Sequence, residues 1–394
     1  MLFLSTWFPY PPNQGSKTRA YQLLKALAQH HDVALVSFED VPLRPEWLEV
    51  VERMCPLVEV IRERPFARPR LRTWLGWLSL TPSAVVAGYS RRMADRVREV
   101  ADRWKPDLVL AMTFAAAPYA LQLGGVRRVV DVDNLLALML YEEYMQAQGP
   151  LRRVRRYVAY RKLRRYERQL FSQFDLCLIT SALDCGRIRE YIPLREAQIG
   201  LVPNGVDLDY FAPNGRTPEP DSLVFTGSLA YDPNRDAMEY FLQEIFPQIR
   251  QARPAARLTI TGAAGRAALR PGLLDEGVSF PGYLDDIRPV VRASTAAVVP
   301  LRKGAGTRLK ILEAMGLGTP VVSTSKGAEG LRVEAGVHLL MADRPAEFAS
   351  QTARLLGDPG LRASLAEKAR RLVEKEYGWD SIGRQFERMV DGLA

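Results

Sequence analysis

Asp32-Val-Ala-Leu-Val-Ser-Phe38 decides the fold class through what precedes it. Leu2 to Thr6 is a short apolar strand, Gly15 to Ala28 sets Leu23, Leu24 and Leu27 on one helical face, and the run ending at Phe38 is a buried strand. Strand, loop, helix, strand is a βαβ unit, the connection that parallel strands require. Asp107-Leu-Val-Leu-Ala111, Arg128-Val-Val-Asp-Val-Asp133 and Asp175-Leu-Cys-Leu-Ile-Thr180 repeat the pattern, each bordered by a helix-like stretch. The first half therefore reads as a doubly wound α/β domain.

Val202-Pro-Asn-Gly-Val-Asp207 mixes turn formers with apolar residues, and Pro213 to Pro220 has linker composition. These place a first domain at 1–202, a linker at 203–220, a second domain at 221–376 and a final helix at 377–394. The second domain reuses the plan: strand Ser222 to Gly227, a helix from about Arg235 to Arg250, strands Arg257 to Gly262 and Ala296 to Pro300, helix Arg308 to Gly316 and strand Pro320 to Thr324. Phe348 to Leu356, Gly360 to Lys375 and Trp379 to Leu393 are helical.

A chain of 394 residues with 47% hydrophobic and 25% charged residues is too long for one ordinary core and too apolar for disorder. Cys55, Cys177 and Cys185 have neither zinc-site nor disulfide spacing and read as reduced cytosolic thiols. Met1 to Pro9 lacks a basic leader, and no apolar run spans a bilayer, so the expected location is the cytoplasm, as a soluble or peripheral protein. A net charge of +9 admits nucleic acid, an anionic membrane or a phosphorylated small molecule as partner.

Gly304-Ala-Gly-Thr-Arg-Leu-Lys-Ile-Leu-Glu313 carries the most chemistry. Gly304 and Gly306 admit a ligand close to the backbone, and a helix starting near Thr307 offers unpaired N–H groups to a phosphate. Arg308 and Lys310 add positive charge, and Glu313, one turn on, accepts from ribose hydroxyls. The spacing alone equally describes a Gly-rich turn before a capped helix with solvated basic residues.

Thr307 to Leu331 resembles the donor-site signature of the retaining GT-B glycosyltransferases of family 4, the group 1 glycosyltransferases. Gly15, Val202 to Asp207, Phe225-Thr-Gly-Ser228, Thr261-Gly262 and Val278-Ser-Phe-Pro-Gly-Tyr283 extend the resemblance in order along nearly the whole chain. It implies two Rossmann-like doubly wound domains facing across a cleft, an acceptor-binding N-terminal one and a nucleotide-sugar-binding C-terminal one, with the last helix packing toward the former. Glu313 would hold the ribose, and Arg308 and Lys310 would neutralise the diphosphate. Gly15 would let the N-terminal loop close over the donor, and Tyr283 and Leu284 would border the nucleobase. Charge that develops on a departing diphosphate is stabilised by such cations, so neither metal nor other cofactor is required.

Two departures shift roles. The second Glu that many members carry eight residues earlier is Ala305 here, and the Arg and Lys that often follow the strand matching Phe225 are replaced within Gly227-Ser-Leu-Ala-Tyr-Asp-Pro-Asn-Arg235. Arg308 and Lys310 then carry more of the charge beside Ser228 and Asn234, and Glu329 in Gly327-Ala-Glu-Gly-Leu331 stands in at the sugar or belongs to a solvated loop. Asp133 takes the strand-end place where the family often has His, and either orients an acceptor hydroxyl or caps the following helix.

Arg152 to Arg168 is densely basic and interleaved with Tyr157, Tyr160 and Tyr166, while Trp74 and Trp77 stand at helical spacing beside leucines. This reads as an anionic-membrane patch serving a lipid-linked acceptor, or as a solvated helix with core tryptophans. The function that follows is sugar transfer from a nucleotide-sugar to a hydroxyl in surface polysaccharide or glycolipid synthesis. A nucleotide-sugar epimerase or phosphorylase on the same scaffold, or an RNA-binding α/β protein, are the competing classes.

Overall fold

A computed structural model describes residues 1–63, 81–82, 85, 88–215, 217–264, 268–270, 272–273, 276–304 and 306–393; Trp74, Trp77 and Ala305 lie outside them. The chain forms two compact units, Met1–Pro203 with Ile382–Ala394, and Asn204–Ser381.

Unit 1 runs β1 (Leu2–Ser5), α1 (Gly15–Leu27), β2 (Ala34–Phe38), α2 (Pro45–Glu52), β3 (Leu57–Ile61), α3 (Arg91–Trp104), β4 (Leu108–Met112), α4 (Ala117–Ala120), β5 (Arg127–Val132), α5 (Leu136–Met145), α6 (Pro150–Phe171), β6 (Leu176–Ile179), α7 (Ala182–Arg189) and β7 (Ile199–Leu201). The strands pair in parallel in the order β3-β2-β1-β4-β5-β6-β7, so the order reverses between β1 and β4. Strands β1, β2 and β4 are buried along their whole length, as parallel strands covered on both faces must be. On α3, Met93, Ala94, Val97 and Val100 form the buried stripe, and the Ser90 hydroxyl caps its start by accepting from the Met93 N–H.

Unit 2 runs β8 (Glu219–Thr226), α8 (Asp232–Tyr240), α9 (Phe246–Ala252), β9 (Arg257–Thr261), β10 (Val278–Gly282), α10 (Arg288–Ala293), β11 (Ser294–Val299), α11 (Leu309–Gly316), β12 (Val321–Ser323), β13 (Leu340–Met341), α12 (Pro345–Gly357) and α13 (Pro359–Glu376). Its parallel sheet has the order β10-β9-β8-β11-β12-β13, reversing between β8 and β11. Side chains of β8 alternate between two cores, Leu223 and Phe225 on one face and Val224 on the other.

Three details differ from the reading by pattern. Strand β8 begins at Glu219, inside the stretch of linker composition. The helix expected from about Arg235 starts at Asp232 and widens into a π-turn over Phe241–Ile245 before α9. Pro247 accounts for the π-turn, because it has no N–H to donate and its ring crowds the carbonyl four residues back. The strands β3, β7 and β13 are absent from that reading, although Leu57-Val-Glu-Val-Ile61 is itself a β-branched run; β7 and β13 are too short to carry a pattern.

The last helix, α14 (Trp379–Asp391), packs its C-terminal part on unit 1. Ile382, Phe386 and Val390 are buried, each contributing about 2 kcal/mol of transfer free energy. Gly383 lies so close to α1 that an added Cβ would stand 3.1 Å from the Ala26 methyl. Glu387 and Asp391 meet His30 and His31 at 3.0 and 3.1 Å.

Candidate active site

In open parallel sheets the crevice for a ligand lies beyond the carboxyl ends of the strands where their order reverses. In unit 2 that place follows β8 and β11. The first residue past β8 is Gly227, at a φ of 138°, and a Cβ there would stand 2.8 Å from Asn234 Nδ2 and 2.9 Å from Lys310 Nζ. Only glycine leaves both groups in place. Gly262, past β9, approaches more closely still: its added Cβ would lie 2.6 Å from the Gly227 carbonyl. The Gly262 N–H donates to the Gly282 carbonyl, so the loops that end β8, β9 and β10 abut.

Asn234, in the first turn of α8, joins two of these elements. Its Nδ2 donates to the Ser228 carbonyl at 2.9 Å, and its Oδ1 accepts from Lys310 Nζ at 3.0 Å. The ammonium also stands 3.8 Å from the centroid of the Phe225 ring, a cation–π contact. Ser228 Oγ is turned toward the β9 loop, donating to the Ala263 carbonyl. Gly304 and Gly306, at φ values of 101° and 82°, bring the chain to Arg308, which is buried at the start of α11 and donates from NH1 to the Gly306 carbonyl at 2.6 Å. The Thr307 hydroxyl accepts from Asn204 at 3.3 Å, which gives the Val202-Pro-Asn-Gly-Val segment a role that its pattern does not disclose.

Lys310 and Glu313 line one crevice with Thr226, Val224, Val291 and Val299. Burial, with the nearby Arg308 charge, lowers the Lys310 ammonium to about 7 against the pull of Glu313. Burial raises the Glu313 carboxyl to about 7 against the pull of Lys310. Both groups therefore change charge near neutrality, where small changes of surroundings decide their state.

The remaining donor-side residues are less tightly gathered. Tyr283 follows β10 and is 61% exposed, with Leu284 half-buried beside it. Glu329 accepts from Lys326 Nζ at 2.7 Å in the loop after β12. Gly327 sets that loop, since a Cβ there would lie 2.3 Å from Ser323 Oγ and 2.7 Å from the Val299 carbonyl.

In unit 1, a cavity of about 230 Å³ lies past the carboxyl ends of β1, β4 and β5. Trp7, Phe114, Pro118, Tyr89 and Tyr119 wall it, and Ser16, Thr113, Asp133 and Asn134 are its polar lining. Asp133 accepts from Ser16 Oγ at 2.6 Å, in the first turn of α1. It does not cap α5: that end is held by Glu167 of α6, whose Oε1 accepts from the Ala137 N–H at 3.0 Å while Oε2 accepts from the Tyr191 hydroxyl at 2.9 Å. Gly15 is the first residue of α1 itself, directly before Ser16. Sequence reasoning missed the pair beneath: Arg19 donates from Nε and NH2 to both oxygens of Asp131 at 2.6–3.0 Å, and both side chains are fully buried. An arginine within an amphipathic helix gives no sequence signal of burial.

Residues 13–210 match the family model described as Glycosyltransferase Family 4, and residues 220–358 the one described as Glycosyl transferases group 1. The chain belongs to glycosyltransferase family 4. Its similarity to the phosphatidyl-myo-inositol mannosyltransferase of Mycobacterium tuberculosis is 28% identity over 207 residues, 49% of this chain and 54% of that one. The matched part is about half the length of that and other curated relatives of the family. Among solved structures, the sucrose-phosphate synthase from Thermosynechococcus elongatus superposes with a TM-score of 0.74 at 18% identity, covering 100% of this chain and 98% of that one. Anabaena Alr3699/HepE, solved in complex with UDP, gives 0.67 at 16% identity, covering 99% of each. The fold of this family 4 chain is thus GT-B, and Gly227, Arg308, Lys310 and Glu313 converge at the switch point of unit 2 together with Asn234, which lies where the chain departs from the family pattern.

Proposed function

We propose that the chain transfers a sugar from a nucleotide-sugar donor to an acceptor hydroxyl with retention of configuration, in the synthesis of surface polysaccharide or glycolipid at the inner face of the cell membrane. The observation that carries this reading is the caged ammonium of Lys310, held by Asn234 beside Phe225 where unit 2 reverses its strand order. In the reaction the bond from the anomeric carbon to the diphosphate breaks and a bond to the acceptor oxygen forms on the same face. Lys310 and Arg308 stabilise the charge that develops on the diphosphate, so the step needs no metal. Glu313 accepts from the ribose, Tyr283 and Leu284 border the base, and Glu329 takes the sugar contact.

The acceptor proton passes to the departing phosphate, with Asp133 orienting the hydroxyl. The aromatic cavity beside Asp133 suits a saccharide or lipid-linked acceptor, met at an anionic membrane surface through Arg152 to Arg168; nucleic acid is not a partner in this reading. The UDP held by the Anabaena neighbour and the phosphatidylinositol named for the mycobacterial relative support a nucleotide-sugar donor and a lipid acceptor.

A thermal-shift screen of UDP-, GDP-, ADP- and dTDP-sugars tests the donor side, since a ligand bound to the folded state raises its melting temperature by mass action. One nucleotide class should stabilise the protein, and Glu313→Ala should remove the shift. No shift with any of the four, or isomerised nucleotide-sugar in place of transfer, would rule the reading out.

A further inference from the structure

Helices α5 and α6 form a hairpin whose tip, Gln146 to Gly149, turns through a positive φ at Gly149. Among the described residues, eleven large apolar side chains are exposed, and six of them lie on this hairpin: Tyr141, Met145, Leu151, Val154, Tyr157 and Val158. Leu151 is 84% and Val154 61% exposed. Leu151, Val154 and Val158 follow the spacing of one helical stripe, with Arg155 beside it and Arg152 and Arg153 further round to either side, while Arg156 turns away to Glu143 of α5. Between residues 136 and 171 there are nine cations and three carboxylates. Of these acids, Glu167 is buried and Glu143 is paired with Arg156 at 2.7 Å.

The tip is preformed. Tyr141 meets Tyr160 at 5.2 Å and Tyr144 meets Tyr157 at 5.3 Å between ring centroids, and the Arg153 guanidinium lies over the Tyr144 ring. A merely solvated helix needs no protruding Leu151 and Val154, and a nucleic-acid surface needs the arginines but not the apolar stripe. A second copy of the chain would set the same arginines against one another across a symmetric contact. The interface of an anionic bilayer is the one environment that favours both halves of the pattern.

We propose that the α5–α6 hairpin is a membrane-docking wedge: Leu151 and Val154 insert below the headgroups of an anionic bilayer while the flanking arginines hold the phosphates. The proposal rests on the transfer reading only for its purpose, delivery of a lipid-linked acceptor; α5 springs from Leu136, which lines the cavity beside Asp133.

The test is sedimentation of the full chain with vesicles of phosphatidylcholine alone and of phosphatidylcholine with phosphatidylglycerol. Binding should occur only to the second kind. Leu151→Asp with Val154→Asp should weaken it at least about tenfold at every salt concentration, and Arg152→Ala or Arg153→Ala about fivefold each with a shallower salt dependence. Full binding by the double Asp variant would reduce the patch to electrostatic adsorption and overturn insertion. So would binding to neither vesicle, RNA binding tighter than vesicle binding, or self-association that the double variant abolishes. Unchanged melting temperatures check that these exposed substitutions leave the fold intact. The donor thermal shift is read on the same variants: its survival while docking fails leaves the transfer reading standing, and its absence from the parent chain defeats that reading without touching the vesicle result.

Discussion

At the carboxyl ends of β1 and β4 in unit 1, a fully buried guanidinium, Arg19, is closed in a forked pair with Asp131, and what faces the cavity is Asp133 among aromatic rings. At the carboxyl ends of β8 and β11 in unit 2, Arg308 donates to the Gly306 carbonyl and Lys310 to Asn234 Oδ1 over the Phe225 ring, with Gly227 and Gly304 packed beside them. Both places are created by the same event, a reversal of strand order. The scaffold therefore sets where a ligand is held, and the handful of side chains at the strand ends sets which. In the proposed reaction the unit 2 cations meet the donor, whereas the unit 1 cation is already committed to a carboxylate.

The most severe way to break that contrast is Arg19→Met. It strands the Asp131 carboxylate, whose burial already pushes its pKa up, and should cost about 3–5 kcal/mol of unit 1 stability in denaturant melts. Arg19→Met combined with Asp131→Leu should recover most of the loss, because the uncompensated charge is gone. A single variant as stable as the parent would show that the pair is not structural.

The same removal in unit 2 should behave in the opposite way. Lys310→Met takes the cation away from buried Glu313, but that carboxyl, already raised to about 7, can take up a proton, so the unliganded protein loses little stability while donor affinity falls about 10- to 100-fold, the worth of a hydrogen bond to a charged group. The pH dependence sharpens this. Lys310, lowered to about 7, loses its proton as pH rises, and diphosphate affinity falls with it, approaching tenfold per unit above neutrality. Glu313, raised to about 7, gains a proton as pH falls, and ribose affinity falls on that side. Donor titrations across pH should give an optimum near 7, with Lys310→Met losing the alkaline limb and Glu313→Gln the acid limb. An alkaline limb that persists in Lys310→Met would assign it elsewhere.

What the sequence discloses follows the range of the interactions. The βαβ order is written in local apolar runs such as 32–38, and Gly304 to Glu313 is contiguous, so both are legible. Lys310 and Asn234 are 76 residues apart and Arg19 and Asp131 are 112 apart, and nothing in either partner names the other. Asp133 was open between two roles because only packing shows that Glu167 already caps α5. The arginines of α6 are plain in the sequence, whereas the protrusion of Leu151 and Val154 is decided by what fails to pack against them.

The smallest expected effect concerns backbone strain. Unit 2 uses glycine where its strand ends turn through positive φ, at Gly227 and Gly262, but unit 1 keeps Thr113 at a φ of 73° just past β4, a conformation that costs a β-branched residue about 1–3 kcal/mol. The Thr113 N–H donates to the Asp131 carbonyl, and its hydroxyl meets that of Thr6 at 3.0 Å on the wall of the cavity. Thr113→Gly relieves the strain but loses the hydroxyl contact and frees the unfolded chain, so the two sides should cancel to within about 1 kcal/mol. Acceptor KM should nonetheless rise several-fold, with the donor thermal shift unaltered, because the lost group lines only the acceptor cavity. A variant that is clearly more stable and transfers as well as the parent would mean that the strain serves nothing at the site. A variant of equal stability with impaired acceptor use would mean that unit 1 keeps a strained threonine for the ligand it holds in the proposed reaction.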